Sequence, residues 1–387
     1  MRTTRKNRQQ QQTGNLGLHP TPYTLHLTPY TKMTLLGQTL EQLQTLCLQE
    51  GFPKFTAKQL CDWMYKKNVT DIDLMTNLSL KIRARLKEIA TLGRTPAVNC
   101  QTSVDGTKKY LFPIQTIKQS STQAFVESVY IPTPDRATLC ISSQVGCKMG
   151  CRFCVTGKQG FHGSLTAADI LNQLFEVDAA IKKTNNQASI HNVVFMGMGE
   201  PMDNYDAVRQ SIDVLTAEWG LAWSPQRITV STVGIIPTLK RLLDETRCHV
   251  AVSLHNPFPD EREAIMPVEH AYSISDVVKL LQRYNWRGQR RISFEYIMFR
   301  GLNDDIRHAS ALRSLLRGLS CRVNLIRFHA SPDMPYRTST DIVIENFCKY
   351  LNDHGILTTV RASRGEDIMA ACGLLAGKEM KNEATPQ

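Results

Sequence analysis

Residues 138–196 begin with the strand-like run Thr138-Leu-Cys-Ile and end with a second such run, Asn192-Val-Val-Phe-Met. Between them a helical pattern starts at Thr166, with Asp169 at the third helical position of a capping box. One face of this helix carries the apolar residues Ile170, Leu171, Leu174 and Phe175. A strand, a helix and another strand at this spacing predict a parallel β/α unit.

The same alternation continues toward the C-terminal end of the chain. Further strand-like runs are Ile228-Thr-Val-Ser, Val250-Ala-Val-Ser-Leu, Ile292-Ser-Phe-Glu-Tyr-Ile, Val323-Asn-Leu-Ile and Thr358-Thr-Val-Arg. Helical patterns lie between them, one from Ser273 and another that carries Leu312, Leu315, Leu316 and Leu319. We therefore predict an α/β fold with a full or partial (β/α) barrel, whose site lies where the strands end. An open doubly wound sheet is the alternative.

The rest of the chain divides by composition. Residues 1–32, rich in Gln, are predicted to be a disordered basic tail, and residues 379–387 a second tail. Residues 33–95 show helical spacing and many Lys and Arg, which predicts a small helical domain whose basic face contacts a partner or is simply solvated. Residues 96–136 read as a linker of short β-strands, with a hairpin turn at Val104-Asp-Gly-Thr. The barrel domain is expected over 137–378.

Composition limits the cellular setting and the partners. No apolar run approaches the length of a membrane span, and the basic N-terminus is not followed by the apolar core of a signal peptide. A cytoplasmic protein without membrane contact is expected. The formal net charge of +11 suits a polyanionic partner. Five of those charges fall in the first 32 residues, however, and the remaining +6 also fits ordinary solubility.

The cysteines are the chemically informative residues. Cys147, Cys151 and Cys154 form a Cx3Cx2C run after the first barrel strand. A structural zinc site or a ferredoxin-type cluster normally has four ligands, so three thiolates indicate a cluster with one open iron. Zinc completed by His162 is the alternative. The scattered cysteines are expected to be small buried hydrophobes: Cys47, Cys61, Cys100, Cys248, Cys321 and Cys348.

A glycine motif follows the next strand. Phe195-Met-Gly197-Met-Gly199-Glu200-Pro201 offers bare backbone that a ligand can approach closely. Neither GxGxxG nor GxxxxGK[ST] follows any of the predicted strands, which counts against dinucleotide and nucleoside-triphosphate chemistry.

Together these motifs resemble the radical S-adenosylmethionine (SAM) superfamily, and within it the RlmN/Cfr family of RNA methyltransferases, over about residues 35–377. The segments that carry the resemblance are Phe125-Val-Glu-Ser-Val-Tyr-Ile-Pro, Thr138-Leu-Cys-Ile-Ser-Ser-Gln-Val-Gly-Cys, Gly197-Met-Gly-Glu-Pro, Val230-Ser-Thr-Val-Gly, Ala251-Val-Ser-Leu-His and Arg361-Ala-Ser-Arg-Gly-Glu-Asp-Ile-Met-Ala-Ala-Cys372-Gly. The resemblance implies a partial TIM-like barrel of the radical SAM type, preceded by the small helical domain of residues 33–95 on the RNA side.

The resemblance also implies the reaction. It predicts methylation of carbon 2 of an adenine in 23S ribosomal RNA and in the anticodon loop of transfer RNA, with two SAM molecules per turnover. One [4Fe-4S] cluster would be held by the three cysteines of the Cx3Cx2C run. Cys372 would carry the methyl group as S-methylcysteine, Cys140 would resolve the protein–RNA adduct through a transient disulfide with Cys372, and Glu127 would accept a proton.

The remaining implied contacts concern the cofactor and the partners. The family's SAM contacts carry over to Gly199, Glu200, Ser231, Ser253, Leu254, His255 and His329. At His329 the sequence departs from the Asn-Pro turn of many members. A low-potential donor such as flavodoxin and a monomeric state are expected. Two alternatives stay open: methylation of carbon 8, as in the Cfr branch, and a non-catalytic iron–sulfur RNA-binding protein.

Overall fold

The computed structural model describes residues 32–118, 123–185, 188–286, 288, 290–330, 334–371 and 373–377. The strands are β1 (Met33–Thr34), β2 (Ala90–Thr91), β3 (Asn99–Thr102), β4 (Lys108–Lys118), β5 (Gln123–Pro132), β6 (Ala137–Cys140), β7 (Gln144–Gly146), β8 (Phe161–Ser164), β9 (Asn192–Phe195), β10 (Ile228–Thr232), β11 (His249–Ser253), β12 (Ile292–Met298), β13 (Arg322–Arg327) and β14 (Leu357–Val360). Both predicted tails lie outside the described residues, apart from Lys32.

The helices are α1 (Leu40–Gln49), α2 (Thr56–Cys61), α3 (Leu80–Ile89), α4 (Val155–Lys158), α5 (Ala167–Thr184), α6 (Tyr205–Thr216), α7 (Ile236–Glu245), α8 (Pro259–Ile265), α9 (Ile274–Leu281), α10 (Ile306–Leu315) and α11 (Asp341–Asp353). A π-helical turn (Asp62–Lys66) extends α2, and short 3-10 turns cover Ile72–Leu74, Pro225–Arg227, Pro267–His270 and Glu366–Ile368. None of the helices in the described part of the chain is both long and apolar enough to cross a membrane.

The main sheet has ten strands in the order β14-β13-β12-β11-β10-β9-β6-β5-β4-β3. The strands from β6 and β9 through β14 are parallel, and β5, β4 and β3 join antiparallel at one edge. Along the chain, each new parallel strand adds next to the previous parallel strand and always on the same side of it. The direction in which the chain winds therefore never reverses. Successive crossovers share one hand, and winding in one direction places their helices on one face. The partial barrel is confirmed, and the doubly wound alternative is wrong.

Residues 96–136 are more than a linker of short strands. The hairpin between β3 and β4 is confirmed, with Gly106 at φ 82° in its turn. However, β4 and β5 are 11 and 10 residues long and belong to the main sheet. The prediction of short strands is wrong because polar residues interrupt the alternation of β4, and pairing with β5 sets its length instead.

The N-terminal helices pack on the barrel. A capping box at Thr39 and Gln42 starts α1. The ring of Tyr65 stacks on Phe175 of α5 with 6.1 Å between centroids, and Asn68 Nδ2 donates to the Phe175 carbonyl. The predicted helices are therefore confirmed, and they share one hydrophobic core with the barrel.

The capping box predicted at the start of α5 is also present. The Thr166 hydroxyl accepts from the Asp169 amide, and the Asp169 carboxylate accepts from the Thr166 amide.

The scattered cysteines differ in how deeply they are buried. Cys47, Cys61 and Cys248 are buried as predicted, but Cys100 lies exposed on edge strand β3. Cys321 and Cys348 are half-buried.

Candidate active site

A cavity of about 1110 Å³, counting the part that opens to solvent, lies at the carboxyl ends of the parallel strands. This volume is in the range of small-molecule and cofactor sites. Parallel strands bring the residues that follow them to one end of a barrel. Nine of the residues predicted for the site line this cavity: Cys140, Cys147, Cys151, Cys154, Gly199, Glu200, Ser231, Ser253 and His255.

The three clustered cysteines lie on the loop between β7 and α4. The Cys147 amide donates to the Gly160 carbonyl at 2.9 Å, which closes the base of the loop. Gly146 has φ 72°, and a Cβ there would lie 1.8 Å from the same carbonyl oxygen, so the position admits only glycine. Cys154 is the N-cap of α4, and its amide donates to the Cys151 carbonyl at 3.1 Å. Local backbone geometry therefore presents all three thiols to the cavity.

The electrostatics of this loop call for a positive ion. Burial raises the pKa of the Cys147 thiol to about 12, and the carboxylate of Glu200 adds to the effect. Burial, with the thiolates of Cys154 and Cys147, also raises the pKa of Cys151 well above its usual value, and Arg262 only partly opposes this. The thiols of Cys147 and Cys151 therefore ionise together only when a cationic group binds them.

The donor set fits a multinuclear cluster better than one ion. Among the described residues, no three His, Cys, Asp or Glu side chains converge closely enough to hold a single metal ion. His162, the residue considered for zinc, is exposed, and its Nε2 contacts the Gln159 carbonyl at 3.1 Å. A four-iron cluster binds each thiolate at a different iron, so its cysteines need not meet at one point.

The two glycines after β9 are required because neighbouring segments of the same chain leave no room for a side chain at these positions. A Cβ on Gly197 would lie 2.6 Å from the Ser142 hydroxyl and 2.7 Å from the Ile141 carbonyl oxygen. Gly199 has φ 93°, and its Cβ would lie 2.4 Å from Cβ of Gln144. We expected these glycines to admit a ligand. The structure adds a different reason, which is the close approach of the segment that leads to the cysteines.

Glu200 joins the ends of two strands. Its Oε1 accepts from the Met202 amide and its Oε2 from the Val233 amide, each at 3.0 Å. Burial raises the pKa of this carboxyl to about 7. The side chain therefore fixes the turn after β9 against the end of β10.

His255, the second residue after β11, lies in the left-handed region of backbone conformation, at φ 56°. Its Nδ1 accepts from the Ile297 amide at 3.1 Å, so the ring proton resides on Nε2. Burial, with the positive charge of Arg262, lowers the pKa of the imidazole to about 3. His255 is thus a neutral ring with one N–H donor to offer the cavity that it lines.

Arg262, on α8, was missed by the sequence analysis. Its guanidinium is fully buried and pairs with Glu269. Nε donates to the Leu254 carbonyl at 2.9 Å, and Nη2 donates to those of Ser253 and Val233 at 2.9 and 3.1 Å. One side chain therefore holds the ends of β10 and β11 together. An arginine in a charged helical run carries no sequence signal for such burial.

Glu295 and Arg361 form a second unexpected group in the cavity lining. Oε1 of Glu295 accepts from Asn324 Nδ2 at 2.8 Å, and Oε2 lies 3.3 Å from Arg361 Nη1. Glu295 lies in β12, Asn324 in β13 and Arg361 after β14. The three are therefore joined across neighbouring strands, which no short sequence window reveals.

The residues predicted to act in methyl transfer differ in where they lie relative to the cavity. Cys140 ends β6 and is buried beside the cluster loop, in the same cavity. Glu127 is also buried, although its strand pattern alone would favour a solvent-facing side chain. It lies outside the cavity lining, on the face of β5 that carries Val129 and Ile131, and both of these residues line the cavity. Cys372 is outside the described residues.

Two predicted cofactor contacts do not line the cavity. Leu254 is fully buried, and its carbonyl is engaged by Arg262. His329 follows β13, where its Nε2 lies 3.0 Å from the Ser363 hydroxyl and its Nδ1 3.7 Å from the Glu366 carboxylate. Their roles as cofactor contacts stay predictions.

Known proteins resemble this chain over most of its length. A family described as the ribosomal RNA large subunit methyltransferase N-terminal domain matches residues 33–92, and the radical SAM superfamily matches residues 141–312. The chain is 55% identical to a probable dual-specificity RNA methyltransferase RlmN of Porphyromonas gingivalis, over 89% of this chain and 94% of that protein. The chain belongs to the RlmN family of radical SAM RNA methyltransferases.

More distant relatives agree with that membership. The RlmN protein of Syntrophus aciditrophicus is 37% identical over 91% of this chain and 99% of its own length. A crystal structure of a radical SAM methyltransferase from Sphaerobacter thermophilus superposes with a TM-score of 0.83 at 37% identity, covering 89% of this chain and all of that one. The predicted family is confirmed. Radical SAM membership implies a [4Fe-4S] cluster and SAM as cofactors.

Proposed function

We propose that this enzyme methylates carbon 2 of an adenine in 23S ribosomal RNA and in the anticodon loop of transfer RNA, through a methyl group carried on Cys372. The observation that carries the proposal is the shared cavity, which Cys140 lines together with the three clustered cysteines. A protein that only bound RNA through a cluster would not need a further thiol there. The relatives named as dual-specificity RNA methyltransferases support the choice of two RNA substrates.

Cys147, Cys151 and Cys154 are the proposed cluster ligands. When bound, the cluster and SAM supply a 5′-deoxyadenosyl radical, and a separate SAM molecule supplies the methyl group. We assign contacts with SAM to residues of the cavity lining that lie at or just after the ends of β9, β10 and β11, namely Gly199, Glu200, Ser231, Ser253 and His255. His255, as a neutral donor, can hydrogen-bond an acceptor atom of the cofactor without adding charge.

The remaining proposed roles belong to three side chains. The Cys372 thiolate accepts the methyl group, which is nucleophilic substitution at a sulfonium methyl. Once the radical has removed a hydrogen atom from this methyl group, the remaining methylene carbon bonds to carbon 2 of the adenine. Glu127 then accepts the proton from that position, and the adduct returns one electron to the donor chain that supplied it. The Cys140 thiolate then attacks the Cys372 sulfur, and the bond from that sulfur to the methylene carbon breaks with its electron pair left on the carbon. Protonation of the carbon gives the methyl group of the released RNA and leaves a disulfide between Cys140 and Cys372. Carbon 2 of adenine is electrophilic and has no acidic hydrogen, so it requires a carbon radical or nucleophile of this kind.

The RNA must present the target base outside a duplex, in a loop or flipped out, because a stacked base cannot enter a cavity. We further propose a low-potential electron donor such as flavodoxin, a monomeric enzyme and a cytoplasmic location.

The test is mass spectrometry of nucleosides from large-subunit ribosomal RNA and transfer RNA after incubation with anaerobically reconstituted enzyme, SAM and a reductant. We expect 2-methyladenosine in both RNAs. 8-Methyladenosine would instead assign the enzyme to the Cfr branch. Formation of 5′-deoxyadenosine without either product would refute the proposed substrate while leaving the radical chemistry in place.

A further inference from the structure

The segment of residues 373–377, which directly follows Cys372, is held by contacts that none of the roles above explains. We infer that these contacts form a dock that positions the C-terminal segment beside the cluster loop. The inference rests on the proposed function, in which Cys372 carries the methyl group. The dock consists of Val155, Thr156, Gln159, Lys109 and Glu127.

The first half of the dock is the turn that begins immediately after the third cysteine. The Val155 amide donates to the Gly373 carbonyl at 2.8 Å, and the Thr156 hydroxyl donates to the Leu375 carbonyl at 2.7 Å. Thr156 and Leu375 are both buried. A buried carbonyl needs a protein donor because water cannot reach it, so the Thr156 hydroxyl is required to hold this backbone.

The second half of the dock engages Ala376 from both sides. Its carbonyl accepts from Gln159 Nε2, and its amide donates to Glu127 Oε2 at 2.7 Å. The other carboxylate oxygen of Glu127 lies 3.2 Å from Lys109 Nζ, and the two side chains are only 5% and 8% exposed. A hydrogen bond to an ionised carboxylate is stronger than one between neutral groups. Lys109 compensates the buried charge and therefore acts on Ala376 through Glu127.

Steric fit supports the same arrangement. Gly377 has φ 58°, and a Cβ there would lie 2.6 Å from the Phe125 carbonyl oxygen. The backbone of the C-terminal segment thus lies directly against β5, and a side chain at this position would lift the segment away from the dock.

The dock is continuous with the cluster loop. Cys154 is the N-cap of α4, and the next two residues, Val155 and Thr156, are the donors described above. A cluster bound to Cys154 would fix the start of α4 and with it these donors. We therefore infer that occupancy of the cluster site and placement of the segment after Cys372 are coupled. Thr156, Gln159 and Lys109 are then positioning residues, since they act on the segment and not on the reacting atoms.

Hydrogen–deuterium exchange of the full chain, with and without reconstituted cluster, tests the inference. We expect the peptide that covers residues 373–377 to exchange about threefold to tenfold faster in Thr156→Val and in Lys109→Met, as for the loss of one hydrogen bond in a locally opening segment. Removal of the cluster should accelerate the same peptide in the wild type. Thr156→Ser retains the hydroxyl, so in this variant the peptide should exchange at the wild-type rate.

Thr216→Val is the matched control, because it removes a threonine hydroxyl that bonds only within α6, to the Ile212 carbonyl. It should leave the exchange of 373–377 unchanged. The inference fails if Thr156→Val and Lys109→Met exchange like the wild type, if Thr216→Val accelerates this peptide equally, or if cluster removal has no effect on it.

Activity supplies the second measurement. With iron content equal to that of the wild type, Thr156→Val should show a lower fraction of methylated Cys372 and a lower kcat, with KM for RNA unchanged. A variant that merely unfolds would lose iron and RNA affinity as well. A wild-type enzyme that forms no methyladenosine would refute the proposed function but would leave the exchange results, and hence the dock, standing.

Discussion

Nη2 of Arg262 donates to the carbonyl oxygen of Ser253 at 2.9 Å, which ties a fully buried cation to the end of β11. The same guanidinium reaches the end of β10 at Val233. The ends of β10 and β11, which carry the proposed SAM contacts Ser231 and Ser253, are therefore held by one side chain from α8. Carbonyl oxygens at the ends of β-strands lack partners within the sheet, and the guanidinium supplies the donors that they need.

The first prediction follows from this relationship. Arg262→Met should lower the free energy of unfolding by about 3–5 kcal/mol, because it leaves Glu269 as an unpaired buried carboxylate. SAM binding should weaken in parallel. Arg241→Met, which removes an exposed arginine of α7, should leave the free energy of unfolding nearly unchanged. Denaturant titration and calorimetric binding measure both effects. If Arg262→Met with Glu269→Gln is no more stable than Arg262→Met alone, the buried charge is not the cause.

A second prediction concerns Gly199. Gly199→Ala should destabilise the protein by more than about 3 kcal/mol, because the added Cβ would overlap Gln144 in addition to straining a positive φ. Gly318→Ala measures the cost of the positive φ without a steric overlap, since Gly318 has φ 80° and no atoms lie within 4 Å of an added Cβ. It should cost about 1 kcal/mol. Equal losses in thermal denaturation would show that the contact with Gln144 is unimportant.

A third prediction is the acid sensitivity of Glu261, which lies on α8. Burial would raise the pKa of Glu261, but hydrogen bonds from His308, Asn256 and Arg307 outweigh it and lower the pKa from 4.5 to about 2. The unfolded chain then takes up this proton at a higher pH than the folded one. The stabilisation is therefore fully present above pH 4.5 and is lost as the pH falls toward 2.

Glu261→Gln should accordingly lower Tm most above pH 5, and the difference from wild type should close toward pH 2. The side chain is 34% exposed, so solvent screening limits the effect to about 1–2 kcal/mol at neutral pH. Glu263→Gln, on the same helix, should change Tm little because its side chain is half exposed and lies 3.7 Å from His270. A difference for Glu261→Gln that stays constant from pH 7 to 3 would contradict the assignment.

The fourth prediction separates the two proposed catalytic thiols. Cys372→Ala should abolish RNA methylation, since no methyl group can be loaded. Cys140→Ala should load Cys372 but leave the protein covalently attached to RNA, visible as a slower band on a denaturing gel. Cys248→Ala, a buried cysteine of the barrel outside the cavity lining, should retain activity. RNA methylation by Cys372→Ala would overturn the proposed mechanism.

The last prediction concerns the cluster ligands. Cys151→Ser should bind iron substoichiometrically and lose the visible absorption of the reconstituted protein, because a serine hydroxyl is a poor ligand for iron in a cluster. His162→Ala should keep both, since His162 is exposed and bonded to the Gln159 carbonyl. Loss of metal in His162→Ala would instead favour the four-ligand zinc alternative.

Much of the fold could be predicted because its signals are local. The capping box at Thr166 and the apolar runs of the barrel strands each lie within a few residues, and the structure confirms them. The length of β4 could not be predicted in this way. It depends on a register with β5, in which Leu111 pairs with Glu127, and pairing between strands overrides the weak alternation of the sequence.

By itself, the sequence determined the Cx3Cx2C run, the order of the β/α units and the glycines after β9, because spacing along the backbone sets these features. Tertiary structure alone decided that Arg262 holds the strand ends, that Glu295 joins Arg361 and that Glu127 engages Lys109. These partners are distant along the chain. A polar side chain can be buried only where another element of the fold supplies its hydrogen-bonding or ionic partner. Only the tertiary structure shows which element that is, because the pattern of neighbouring residues does not contain this information.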